Sequence, residues 1–188
     1  MLLTGSEIKR QVDLGKIIIE PWNDKNLSTN SYDITLSNHL LIYDLEKTPY
    51  LDMHAKNPTK EIVIPDDGII LEPGILYLGA SIETATSYEY VPMFEGRSSI
   101  GRLGIYTHVT AGFGDIGWGF IQEDGVLKCT YPTWTLEIQV IHPIKIYAGE
   151  RIGQVYFFKP IGEVKYYSGK YHCQKKPTAS RIWQEQGK

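Results

Sequence analysis

Three short runs, Glu61–Ile64, Gly68–Leu71 and Ile75–Ile82, follow one another with only Pro65, Asp66–Asp67 and Pro73–Gly74 between them. Proline cannot donate to a sheet ladder, and glycine and aspartate accept turn geometry, so each run ends within a strand's length. Short strands this close together predict an all-β sandwich or barrel. Other segments agree. Lys16–Glu20 (KIIIE) reads as a strand stopped by Pro21. Ser31–Asp44 alternates, with Tyr32, Ile34 and Leu36 on one face and Asp33, Thr35 and Ser37 on the other. Tyr106–Thr110, Trp134–Tyr147 and Arg151–Phe158 supply further strands, whereas residues 45–60, broken by Pro49 and Pro58, read as irregular. One short helix is expected first: Thr4 as N-cap with Glu7 reaching back, Ile8, Val12 and Leu14 along one face, and Gly15 as the stop. The 188 residues suffice for one well-buried domain, 1–188, and not for two.

The net charge of −3 argues against a general nucleic-acid binder, so any anion site must be local. Two cysteines, Cys129 and Cys173, make neither a disulfide framework nor a zinc motif, and a reducing cytoplasm is the expected location. No run approaches the roughly 18 apolar residues of a membrane helix, and no signal peptide opens the chain.

The chemistry concentrates between Phe94 and Asp115, FEGRSSIGRLGIYTHVTAGFGD. Arginines and hydroxyls grip phosphate oxygens, and glycines let the backbone approach a ligand. An aspartate after a Gly-rich turn can hold a sugar hydroxyl. Together these predict a nucleotide site, although the spacing alone fits a Gly-rich turn with surface arginines equally well. Glu137 lies on a strand whose residues Trp134, Leu136, Ile138 and Val140 share one face, leaving Glu137 with Thr135 and Gln139 on the other. On a solvent face it is an ordinary acid; lining a cleft, it is suited to moving protons. Zinc-dependent nucleobase deamination is excluded by sequence, since it needs H-x-E and P-C-x-x-C. None of His39, His54, His108, His142 or His172 is followed by x-Glu, and no C-x-x-C occurs. His108, alone in YTHVT, is set aside as a packed or hydrogen-bonded residue.

GRSSIGRLG, HVTAGFGD and WTLE, in this order, resemble the dCTP deaminase family, a branch of the trimeric dUTPase-like β fold. LLTGSEIKRQVDLGKIIIEPW and NSYDITLS resemble its opening helix and strands, and GERIGQVYF and GKYHCQKKPTASRI its last barrel strand and closing tail. The resemblance covers nearly the whole chain. It implies a distorted jelly-roll-like barrel, a homotrimer with sites at subunit interfaces, and hydrolytic deamination of dCTP to dUTP, with or without continuation to dUMP and pyrophosphate.

It further implies residue roles. Glu137 would be the general base, with Ser98 and Arg102 orienting water and carboxylate. Arg97, Ser99, Gly101 and Gln154, with Tyr167, Lys170 and Gln174 of a tail spanning 166–188, would hold phosphates. Thr110, Ala111 and Thr135 would border the pyrimidine, the backbone at Thr110–Ala111 reading the base. Asp115 would take the deoxyribose 3′-hydroxyl, and Trp118 would stack near the sugar; otherwise Asp115 caps a turn and Trp118 is core. Mg²⁺ would arrive bound through the triphosphate, with no protein metal ligands. One departure stands out: Asp115 and Glu137 are further apart than the resemblance implies. The extra segment, residues 120–132, is expected to be an inserted hairpin turning at Asp124–Gly125. A dUTPase is the alternative enzyme, disfavoured by the KPTASRIW ending. A non-catalytic nucleotide-binding regulator is the alternative outside catalysis.

Overall fold

A computed structural model describes residues 1–186. Helix α1 (Gly5–Asp13) is followed by β1 (Ile17–Glu20), β2 (Tyr32–Tyr43), β3 (Thr59–Val63), β4 (Ile69–Leu71), β5 (Tyr77–Ser81), β6 (Thr84–Ser87) and β7 (Val91–Gly96). A single helical turn, α2 (Ser98–Arg102), leads to β8 (Ile105–His108). The chain then forms β9 (Phe120–Glu123), β10 (Val126–Cys129), β11 (Thr135–Val140), β12 (Ile144–Ile146) and β13 (Arg151–Phe158).

The main sheet runs β7-β13-β2-β5-β11-β8, with β3 also on β2. Its pairings are antiparallel, and β2 is long enough to serve two of them in succession. Tyr32–Thr35 pairs with β13, while Leu36–Leu41 pairs with β5 across a register shift between Leu36 and Leu40, and His39–Tyr43 pairs with β3. Such a shift bends a strand and increases its twist, which curls a sheet toward closure. The two end strands nearly meet: a Cβ on Gly96 of β7 would lie 3.1 Å from the Thr107 carbonyl of β8. A further bridge joins Met93 to Phe113. The molecule is mainly β, one barrel-like sheet extended by the pairs β1–β6 and β4–β12.

Alternation decides what fills the barrel. Tyr32, Ile34, Leu36, Leu40, Leu136, Ile138, Val155 and Phe157 are fully buried, each aliphatic or aromatic side chain contributing about 1.5–3 kcal/mol of transfer free energy. Gly153 leaves the space that Phe94 takes, since a Cβ there would come within 2.2 Å of the ring. Two buried acids brace the frame. Glu83 accepts from Thr35 N–H (2.9 Å) and Thr35 Oγ1 (2.7 Å), and burial raises its pKa. Asp33 lies between Arg97 and Arg151.

Several local expectations need correction. Thr4 precedes α1 without a side-chain cap; Glu7 instead accepts from Arg10 and Gln11, so no capping box forms. Leu14 is exposed, because the helix has ended before Leu14 completes the apolar face. The Trp134–Tyr147 run is two strands in different sheets, β11 and β12, separated by a turn at Ile141–Pro143. Strands β6 and β7 were not read from sequence. Thr84–Ser87 (TATS) is entirely buried between β1 and the core, where small hydroxyls replace the usual apolar signal.

Candidate active site

On β11 the core takes Leu136 and Ile138, which turns Thr135 and Glu137 the other way. Glu137 sits in register between Leu78 of β5 and His108 of β8. That outer face opens into a pocket of about 530 Å³ rather than bulk solvent, and Glu137 is among its lining residues. Trp118 and Trp134 line its floor, with ring centroids 5.1 Å apart. Trp118 is buried and also lines the pocket.

The pocket gathers eight of the expected residues: Glu137, Thr110, Ala111, Asp115, Trp118, Thr135, Tyr167 and Gln174. Thr110 engages through its side chain, where a backbone role was expected: Oγ1 donates a short hydrogen bond to Glu137 Oε2. His108, set aside on sequence grounds, places Nδ1 3.4 Å from the same oxygen. Asp115 is exposed at the mouth and also accepts a turn hydrogen bond through its carbonyl from Trp118 N–H (3.1 Å).

The remaining candidates do not line this pocket within one chain. Arg97, Ser98, Ser99, Gly101, Arg102 and Gln154 cluster at the junction of β7, α2 and β13. There Arg97 Nε donates to Asp33 Oδ1 (3.1 Å) and Arg151 Nη1 to Asp33 Oδ2 (3.2 Å). Gln154 Nε2 donates to the Gly96 carbonyl (3.3 Å), and its Oε1 accepts from Ser31 Oγ (2.8 Å). Ser98, Ser99 and Arg102 are exposed beside this network. Lys170 is also outside the lining. It pairs with Glu185, which raises its pKa, and lies 5.2 Å above the Tyr171 ring.

The tail crosses the pocket rim. Tyr167 N–H donates to Ile116 O (2.9 Å), Gln174 Nε2 to Thr133 O (2.9 Å), and Lys175 Nζ to Tyr131 O (2.8 Å). Further on, Thr178 N–H reaches Thr135 Oγ1 (3.1 Å) and Ser180 N–H reaches Tyr43 Oη (3.1 Å). Tyr43, Tyr171, Thr178 and Ser180 thus join the lining without having been singled out. Thr178 and Ser180 belong to KPTASRI, so the signal was present; Tyr43 carried none, being the far end of a strand. Gly187 and Lys188 of the expected tail lie outside the described residues.

Within residues 120–132, Phe120–Glu123 and Val126–Cys129 pair as a hairpin. Strands β9 and β10 pair with Asp124 (φ 51°) and Gly125 (φ 78°) at the turn, the left-handed pair that an Asp-Gly turn supplies. None of its residues lines the pocket, and its contact with the tail runs through Thr130 and Tyr131. Closure entropy depends only weakly on loop length, so replacing residues 121–131 by a short Gly-containing turn should leave kcat within about tenfold. Steady-state assays on the refolded variant check this; loss of turnover with the fold intact by circular dichroism would place the hairpin in the site.

A family model for dCTP deaminase-like proteins matches residues 2–160. Over 188 residues the chain is 47% identical to a Clostridium acetobutylicum protein named dCTP deaminase, dUMP-forming, with 98% of each chain covered. Proteins of the same name from Cytophaga hutchinsonii and Leptospira biflexa are each 44% identical over 98% of both chains. A crystal structure of 2′-deoxycytidine 5′-triphosphate deaminase from Agrobacterium tumefaciens shares the fold, with a TM-score of 0.54 at 18% identity. That likeness covers 83% of this chain and 47% of the other, so this chain spans about half of that one's length. The chain belongs to the dCTP deaminase-like family.

Proposed function

We propose that the chain deaminates dCTP hydrolytically and carries the product on to dUMP and pyrophosphate. The observation that carries the reading is Glu137, an acid turned into a largely apolar-walled pocket by the alternation of β11. The names of the relatives at 44–47% identity support the dUMP-forming version.

In the first step Glu137 takes a proton from water as the water oxygen bonds to cytosine C4, and the proton is passed to N3. The remaining hydroxyl proton passes to the amino group, C4=O forms as the C4–N bond breaks, and ammonia leaves, so dCTP and water give dUTP and ammonia. Thr110 and Ala111 border the base, and Trp118 supports the sugar. In the second step water attacks the α-phosphorus and pyrophosphate leaves. Asp115, at the mouth of the pocket, contacts the 3′-hydroxyl and orients that water.

The phosphate-binding and water-orienting residues come from a neighbouring copy in this reading. Arg97, Ser98, Ser99, Gly101, Arg102 and Gln154 of one chain face the pocket of the next in a homotrimer, and the barrel is a distorted jelly roll of the dUTPase-like type. Arginines donate to phosphate oxygens and have no lone pair to offer a metal, which suits Mg²⁺ held by the triphosphate itself. Base chemistry by Glu137 activates the attacking water, the part that the zinc ion takes in other deaminases. The cytoplasm keeps Cys129 and Cys173 reduced. Among the described residues no helix is long and apolar enough to cross a membrane.

Incubation of purified protein with dCTP and Mg²⁺, with separation of dUTP, dUMP, pyrophosphate and ammonia, is the test. Ammonia, dUMP and pyrophosphate in equal amounts are expected. Accumulation of dUTP as the end product would remove the second step. Turnover of dUTP without turnover of dCTP would make the protein a dUTPase.

A further inference from the structure

The Glu137 carboxylate is held unevenly. Oε2 accepts from Thr110 Oγ1 and has His108 Nδ1 3.4 Å away, while among the described residues Oε1 receives no hydrogen bond. The two holders arrive together for a structural reason. His108 is the cross-strand partner of Glu137, and Thr110 follows it by two residues, on the side of the chain that faces the pocket. The opposite neighbour, Leu78 of β5, offers no polar group. A carboxylate flanked by Leu on one strand and His on the other has one polar side, and Thr110 caps it.

We infer that Thr110 and His108 are positioning residues for the proposed base: they occupy Glu137 Oε2, fix the orientation of the side chain, and leave Oε1 as the atom that takes the proton from water. This rests on the reading of Glu137 as the base. A hydroxyl that donates to a carboxylate stabilises its charged form and fixes its rotamer, and the His108 imidazole bounds the same oxygen from the neighbouring strand. The other ionisable groups bordering the pocket are Asp115, on the loop after β8, and the phenols of Tyr43, Tyr167 and Tyr171, from β2 and the tail.

The sign of the effect is fixed. Removing a donor to the carboxylate favours the protonated acid, so a higher pH is needed to ionise Glu137. Thr110→Val keeps the shape and deletes the donor, Thr110→Ser keeps the donor, and Thr110→Ala is a second deletion should Val disturb the loop. Protein labelled with ¹³Cδ-glutamate, with the Glu137 resonance assigned by its loss in Glu137→Gln, gives the titration midpoint directly. The deletions should raise that midpoint by about one pH unit and Thr110→Ser should leave it near the parent value. The acid limb of kcat/KM for dCTP should move upward by the same amount. Unchanged midpoints in both deletions would overturn the inference. The NMR readout is independent of turnover: shifted midpoints in a protein that does not release ammonia from dCTP would sink the functional reading and leave the positioning of Glu137 standing. Ammonia release that depends on Glu137 but has the same pH profile in all Thr110 variants would do the reverse.

Discussion

Glu137→Gln is expected to bind dCTP normally and to lose deamination by at least about a hundredfold, the lower range for a general acid–base group. The amide is nearly isosteric with the carboxylate, so the β11 register between Leu78 and His108 has no cause to change. Thr110 Oγ1 can still donate to an amide oxygen. The variant lacks a basic oxygen at the point where water must give up its proton. Calorimetric titration with dCTP, paired with single-turnover ammonia release, separates the two effects. Turnover near the parental rate would remove Glu137 from the chemistry and shift attention to Asp115, the other carboxylate bordering the pocket. Loss of binding together with turnover would mean that the carboxylate serves to read the base.

How much of this was legible in the sequence follows from which forces leave a local trace. The face of β11 was readable because burial alternates with period two, and Leu136, Ile138 and Val140 are all buried in the structure. The hairpin turn was readable because Asp124 and Gly125 are the residues that a left-handed pair selects. Strand β6 was not, because TATS is buried by its position between β1 and the core and carries no apolar pattern. The capping box failed because Arg10 and Gln11, one helical turn on, take both oxygens of Glu7. At the site, His108 could not be distinguished from a packed histidine, since its meaning lies in a cross-strand register that no local spacing encodes. Arg97 was legible by its type and Gln154 only through the resemblance, and their partners Asp33, Arg151 and Ser31 lie at large sequence separations. The same holds for the separation of Arg97, Ser98 and Arg102 from Glu137. Composition marks such residues as phosphate-seeking; only the fold reveals that they do not line the pocket of their own chain.

Ending the chain before Tyr167 is expected to abolish turnover, or to lower kcat/KM on the order of a hundredfold or more through lost closure and positioning, while the barrel still folds. The two halves of that expectation rest on different contacts. The tail adds little to the core: of residues 167–186 only Pro177 is buried, and Tyr167 packs partly buried against the edge of the apolar cluster. The strands that close the barrel, β7, β8 and β13, all precede the cut. For the pocket the loss is larger. The deletion removes Tyr167, Tyr171, Gln174, Thr178 and Ser180 from the wall, and with them the tail carbonyl at Tyr171 that accepts from Trp118 Nε1 (3.0 Å). Trp118 would then face water on the side where the sugar is proposed to lie, and Thr135 Oγ1 would lose the Thr178 N–H. A pocket open on that side admits solvent around any nucleotide it holds, which weakens every hydrogen bond to the base and lets water compete with the attacking molecule. Thermal unfolding followed by circular dichroism reports on the barrel, and tryptophan fluorescence on Trp118 and Trp134. A cooperative transition with a red-shifted emission and no ammonia release is the expected combination. Parental kinetics in the shortened protein would show that Tyr167, Lys170 and Gln174 do not serve the substrate, and a loss of cooperativity would assign the tail to the fold instead of the site.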